Sequence, residues 1–254
     1  MSISFRRTAL PLAGALALGM TLSGCGGDAA RLARLEQPSA NAIWDDPKLK
    51  ADALALAPPL FAQHCASCHG ADLKGASDAS HHYKLAPDLT DDRWLFGGED
   101  IDTFIIKASD VEATILHGIR AEDPKTRNWP IMPARGTGHS LEPDEIAAVT
   151  EYVLKLSGQP HDAKQLVLGK ETFEGEGGCY DCHTVQGWGD TAIGSADLTR
   201  PKTWLFGSDR VAIAATVAQG RATSSPAFAG KITPTEAKVL AVYVLSKAGS
   251  LHYN

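Results

Sequence analysis

Two pentads, Cys65-Ala66-Ser67-Cys68-His69 and Cys179-Tyr180-Asp181-Cys182-His183, constrain this chain more than anything else in it. In each, two thiols and an imidazole fall on about one helical turn. At that spacing both thiols can add to the vinyl groups of one haem while the histidine becomes the proximal iron ligand. Two other chemistries fit less well. Zinc ribbons keep their C-x-x-C knuckles within about 20 residues of each other, whereas these are separated by the whole stretch from Cys68 to Cys179, and zinc gives no reason for a histidine after both. Redox disulfides of thioredoxin type call for a βαβ pattern, which is missing. With Cys25 set aside, two covalently bound haems c use every cysteine in the sequence.

Cys25 closes a segment of a different kind. Arg6 and Arg7 precede an apolar run from Ala9 to Leu22, broken by Pro11, Gly14 and Gly19 and followed by Ser23-Gly24-Cys25. A basic start, a short apolar run and a small-residue cleavage site read as a signal peptide over residues 1–24, too short and too rich in small residues for a membrane span. Leu22-Ser23-Gly24-Cys25 resembles the bacterial lipoprotein signal, in which the cysteine becomes the lipidated N-terminus. Acyl chains on Cys25 would hold the protein on a membrane of the bacterial cell envelope, at the periplasmic face. Gly26 in place of an aspartate does not favour retention at the inner membrane. The formal net charge is −6, which makes nucleic acid a poor partner.

The second half repeats the landmarks of the first, and this sets the domain count. Ala86-Pro87-Asp88-Leu89-Thr90 and Trp94-Leu95-Phe96-Gly97-Gly98 follow the first pentad. Ser195-Ala196-Asp197-Leu198-Thr199 and Trp204-Leu205-Phe206-Gly207-Ser208 follow the second. Each half then predicts a short helix, Val111 to His117 or Val211 to Gln219, closed by Gly118 or Gly220. Pro133-Ala134 and Pro226-Ala227 come next, and then a Pro-initiated helix containing Tyr-Val-Leu, Pro143 to Leu156 or Pro234 to Lys247. Strand signals are nearly absent, and a polar stretch from Ser157 to Ala163 joins the halves. Aromatic residues make up only 7% of the chain, which suits cores partly built around a cofactor.

Both pentads, the run Ala86-Pro87-Asp88-Leu89-Thr90-Asp91-Asp92-Arg93-Trp94-Leu95-Phe96-Gly97-Gly98, Met132-Pro133-Ala134 and Tyr152-Val153-Leu154-Lys155-Leu156-Ser157-Gly158 carry a resemblance. From about residue 45 to residue 250 the chain resembles the diheme cytochrome c subunit, subunit III, of cbb-type haem-copper oxidases. That resemblance implies an all-α protein of two tandem class I cytochrome c domains. Each would have an N-terminal helix carrying C-x-x-C-H, a C-terminal helix crossing it, and the haem between them. The expected boundaries are a signal peptide over 1–24, an N-terminal linker over 25–50, domain 1 over 51–158, a linker over 159–163 and domain 2 over 164–254. The chain departs from the family in having a lipoprotein signal where the subunit has a transmembrane anchor, and in lacking a distal methionine in its second half. The first departure suggests a detached relative.

The proximal ligands are then His69 and His183. The family pattern makes Met132, just before Pro133-Ala134, the distal ligand of the first haem. It is one of three methionines, and Met1 and Met20 lie in the export segment. The matching position before Pro226-Ala227 is Ser225, so the second haem is expected to lack a methionine. Its sixth ligand stays open among His81, His82, His139, His161, His252, Lys231 and no protein group. A thioether raises the potential of a haem, so electrons are expected to run from haem two to haem one. Arg120 and Arg221 can pair with haem propionates. Trp94, Phe96, Trp204 and Phe206 are expected to pack on the porphyrin or the core. Asp88, Asp91, Asp92, Glu99 and Asp100 form an acidic run that either caps the next helix or docks a basic partner. The expected role is electron transfer among redox partner proteins: another cytochrome, a dehydrogenase or a haem-copper oxidase. A diheme peroxidase or a ligand-binding haem protein with an open second haem is the competing reading. A peroxidase needs distal acid-base groups, and none stands at a recognisable spacing.

Overall fold

The computed structural model describes residues 23–78, 83–95, 105–128, 130–136, 138 and 140–251. Residues 1–22 of the expected signal peptide, and His81, His82, Phe96, Gly97, Gly98, Glu99, Asp100, His139 and His252, lie outside the described residues. The protein is all-α, as expected. Its helices are α1 (Ser23–Leu35), α2 (Ala40–Asp45), α3 (Pro47–His64), α4 (Ala66–His69), α5 (Ala108–His117), α6 (Pro143–Leu156), α7 (Leu166–Glu174), α8 (Tyr180–His183), α9 (Arg210–Gln219) and α10 (Pro234–Lys247). A small antiparallel pair, β1 (Ser77–Asp78) with β2 (Tyr83–Lys84), is the only sheet among the described residues.

The helices start where the sequence provides acceptors for their free N–H groups. The Asp46 carboxylate accepts from the backbone N–H groups of Lys48 and Leu49 at 2.8 and 3.1 Å, with Pro47 in the first turn of α3. Asp209 does the same for Val211 and Ala212 on α9. Thr233 and Glu236 form a reciprocal capping box on α10.

The packing departs from the expected boundaries. α6, which ends the first half in sequence, packs on α7 and α9 of the second half; α10, which ends the second half, packs on α3 and α5 of the first. The halves have exchanged their C-terminal helices, so neither 51–158 nor 164–254 is a closed domain. Both crossings use the same contact. Phe173 on α7 meets Tyr152 on α6 with ring centroids 5.3 Å apart and planes at 56°. Phe61 on α3 meets Tyr243 on α10 at 5.6 Å and 57°. Two cores follow: one joins Leu56, Phe61 and Val111 to Val239, Leu240 and Leu245, and the other joins Val149 and Val153 to Phe173, Ile213 and Val217. Neither core can be completed by one half alone, because burying each of these side chains contributes roughly 1.5–3 kcal/mol and the partners sit on the other half.

The segment 25–50 is also more than a linker. Leu35, Ala40 and Ile43 are fully buried in the first core. The Lys238 ammonium on α10 donates to the carbonyls of Glu36 and Pro38 at 2.8 and 2.9 Å, tying the α1–α2 turn down. In the other core, Glu151 of α6 accepts from Arg210 of α9 and from the Asp162 N–H at 2.7 Å. The Arg210 guanidinium holds the Glu151 carboxyl below the usual glutamate range, against burial, which pushes it up; the Asp162 N–H adds to the lowering.

Two predictions follow from this packing. If a protease site is inserted at 157–163 and cut in the haem-loaded protein, the two fragments are expected to elute together as one species in gel filtration; separation into two haem-containing fragments would refute the exchange. A depressed carboxyl pKa contributes stability above its ordinary value, 4.5 here, and loses it as pH falls through the lowered value. Glu151→Gln should therefore lower the melting temperature at pH 7, with the difference from the parent closing as the pH drops below about 4.5.

Candidate haem sites

Both pentads adopt the helical turn that the spacing calls for, as α4 and α8. In each, the proximal histidine is oriented by the Asp-Leu-Thr segment further along the chain. His69 Nδ1 lies 3.1 Å from the Pro87 carbonyl and His183 Nδ1 lies 2.8 Å from the Ala196 carbonyl. The next residue fixes that carbonyl by an Asx turn. Asp88 Oδ1 accepts from the Thr90 N–H and Oγ1 at 2.8 and 2.7 Å; Asp197 Oδ1 accepts from the same groups of Thr199 at 2.8 and 2.6 Å. An imidazole that donates from Nδ1 presents Nε2 as the ligand nitrogen. Burial lowers the pKa of both histidines, which favours the neutral, ligating form. It pushes the Cys65 and Cys179 thiols up to about 11.

A cavity of about 330 Å³ opens against the second pentad. Cys179, Cys182 and His183 lie on it, and Val149, Val153, Phe173, Ile213 and Val217 give it apolar walls. Met132 lines the same cavity, with the second pentad and not with the first, to which the family pattern assigns it. The sequence order assigns Met132 to the first haem, but the chain crosses over between α5 and α6. Met132 N–H donates to the Arg221 carbonyl at 3.0 Å, and Arg221 N–H donates back at 2.9 Å, placing Met132 against the end of α9 in the second half. Gly220, at φ 68°, permits this approach, since a Cβ there would come within 2.5 Å of the Met132 carbonyl oxygen. The mirror contact sits in the first half: Ile119 and Ser225 exchange N–H···O bonds at 3.0 and 2.9 Å beside Gly118. Ser225 thus stands beside the half that carries His69.

The other expected residues divide. Arg120 and Arg221 both line the Met132 cavity. Arg120 donates to the carbonyls of Thr223 and Pro130, each at 2.6 Å, and Arg221 lies 4.7 Å from the Phe206 ring centre. Trp204 and Phe206 line the cavity as well, while Trp94 packs on the first core and donates to the Ser250 carbonyl at 2.8 Å. His161 is exposed in the linker, and the Lys231 ammonium sits 5.5 Å over the Phe228 ring. The described part of the acidic run is engaged inside the molecule: Asp88 holds its turn, Asp91 accepts from the Arg93 N–H, and Asp92 pairs with Arg200 of the other half. Sequence reasoning missed Arg93. Its guanidinium is buried between the halves, donating to the Trp188 carbonyl at 2.9 Å and standing 3.7 Å from Asp197. It stands inside the run Ala86 to Gly98, but its role is not legible there because its partners come from the far half of the chain.

The donor set fits haem c at both pentads: paired thiols, a backbone-oriented imidazole and, at the second, an apolar cavity with a thioether and two guanidiniums on its wall. Among the described residues no cluster of His, Cys, Asp and Glu forms a rival metal site.

Comparison with known proteins agrees. Residues 55–157 match the family model described as Cytochrome c. Over 220 residues the chain is 36% identical to the cbb3-type cytochrome c oxidase subunit FixP of Bradyrhizobium sp. (strain ORS 278), covering 86% of this chain and 69% of that one. Over 229 residues it is 35% identical to the cbb3-type cytochrome c oxidase subunit CcoP of Azospirillum sp. (strain B510), covering 88% and 72%. With two covalently bound haems c as its cofactors, the chain belongs to the FixP/CcoP family of cbb3-type cytochrome c oxidase subunits.

Proposed function

We propose that this protein is a diheme electron carrier, held at the periplasmic face of a membrane through lipidated Cys25, that passes electrons toward a haem-copper oxidase. The observation that carries the reading is the meeting of Met132 with Cys179, Cys182 and His183 on one apolar cavity. Haem bound there supplies a one-electron ferric/ferrous couple. Met132 is placed to hold the iron of a haem bound there, where a thioether would favour the ferrous form and raise the potential and the apolar walls would limit water. Arg120 and Arg221 are placed to neutralise propionates.

His69 lies in the half that receives no thioether, so the first site is the lower-potential end and electrons run from it to the second. This inverts the order read from the sequence. It also removes the reason for a peroxidase at the second haem, which rested on a missing methionine there. The lipid anchor is supported by Leu22-Ser23-Gly24-Cys25; among the described residues no helix is long and apolar enough to cross a membrane.

Redox titration tests the ligand assignment. Met132→His is expected to lower the higher of two midpoint potentials by on the order of 0.1–0.3 V, within the roughly 0.8 V that axial ligation spans, and to leave the lower one in place. A shift confined to the lower potential would refute it. Cys25→Ala should move the haem-containing protein from the membrane to the soluble periplasmic fraction; full retention at the membrane would exclude a lipid anchor.

A further inference from the structure

We propose that the haem at Cys65, Cys68 and His69 has an open distal position beside Ser225, and that its ferrous iron takes a diatomic ligand of the carbon monoxide or nitric oxide class. The inference rests on the diheme reading above and extends it to the first site.

Met132 and Ser225 occupy equivalent places in the two halves. Each precedes Pro-Ala. Each exchanges two backbone hydrogen bonds with the residue after a helix-ending glycine of the other half, at 3.0 and 2.9 Å in both cases. A Cβ on Gly220 would meet the Met132 carbonyl oxygen at 2.5 Å and the Ala134 nitrogen at 2.6 Å. One on Gly118 would meet the Ser225 carbonyl oxygen at 2.4 Å and the Ala227 nitrogen at 2.9 Å. Burial alternates in step: Met132 is half-buried between exposed Ile131 and Pro133, and Ser225 is half-buried between exposed Ser224 and Pro226. The segment that brings Met132 to the second site thus has a twin that brings Ser225 to the first half.

Serine cannot do what methionine does there. Its Oγ ends one bond short of the reach of a thioether sulfur, and a neutral hydroxyl is a weak donor to haem iron. Its neighbours from Ala222 to Phe228 include no methionine, histidine, cysteine or lysine. Met132, the one methionine outside the export segment, is committed to the other cavity. The first site therefore keeps its backbone-fixed His69, while the segment that stands where Met132 does at the other site brings it no distal ligand of its own. A diatomic ligand binds by donating its own lone pair to ferrous iron, with no net oxidation or reduction.

The test uses the haem-loaded full-length protein, with haem counted per chain, reduced with dithionite and titrated with carbon monoxide. The expected result is two haems per chain, of which one binds carbon monoxide. Met132→Ala should raise this to two per chain, and Ser225→Met should lower carbon monoxide affinity at the first haem at least tenfold. Two haems with no carbon monoxide response would overturn the proposal alone, showing that a histidine or lysine completes the first site. Unchanged binding in Ser225→Met would also overturn it. Fewer than two haems per chain would overturn the diheme reading and this proposal with it. If Ser225→Met does not load haem, the stoichiometries of the parent and of Met132→Ala decide.

Discussion

Everything distinctive here depends on two places where the chain crosses from one half to the other with no room for a side chain. At Gly118 and Gly220 a helix ends, the backbone turns at positive φ, and a strand from the opposite half lies against it in reciprocal hydrogen bonds. The crossing carries the distal residue, and the C-terminal helix follows it. Each haem site is therefore assembled from both halves, with proximal ligands from one and distal strand and closing helix from the other. The Phe–Tyr crossings of α3 with α10 and α7 with α6 are the packing expression of the same exchange.

The exchange is accompanied by direct ties between the loops of the two sites. Asp92 pairs with Arg200, and Arg93 reaches the Trp188 carbonyl and Asp197, so the loops that orient the two proximal histidines are fastened to each other. Asp197 takes part twice: one oxygen holds the turn whose preceding carbonyl orients His183, and the other faces Arg93. A charge buried between the halves is costly unless compensated. Burial lowers the Arg93 pKa while Asp197 opposes that shift.

Much of this was legible in the sequence because it is local. The pentads, the glycines closing α5 and α9, the Pro-initiated α6 and α10 and the Asp-Leu-Thr turns all follow from short-range spacing, and the internal repeat shows them twice. What the sequence hid is which copy pairs with which. A repeat of two equivalent halves gives the same local signals whether its helices close on their own half or on the other, since each half carries one Phe and one Tyr of the two ring contacts, Phe61 and Tyr152 in the first and Phe173 and Tyr243 in the second. Sequence order alone thus pairs Met132 with His69, whereas the cavity places it with Cys179, Cys182 and His183. Arg93 and the packed helices of 25–50 escaped for a related reason: their partners, Asp197, Trp188 and α10, lie far along the chain.

The pairing of Met132 with the haem of the second pentad is tested most directly by near-infrared magnetic circular dichroism of two single-haem proteins in the ferric state. With the first pentad disabled by Cys65→Ala and Cys68→Ala, the remaining haem is expected to show the sulfur-to-iron charge-transfer band of a His/Met centre. With Cys179→Ala and Cys182→Ala, the remaining haem is expected to lack it. The band in the second protein and its absence from the first would contradict the exchange and return Met132 to His69.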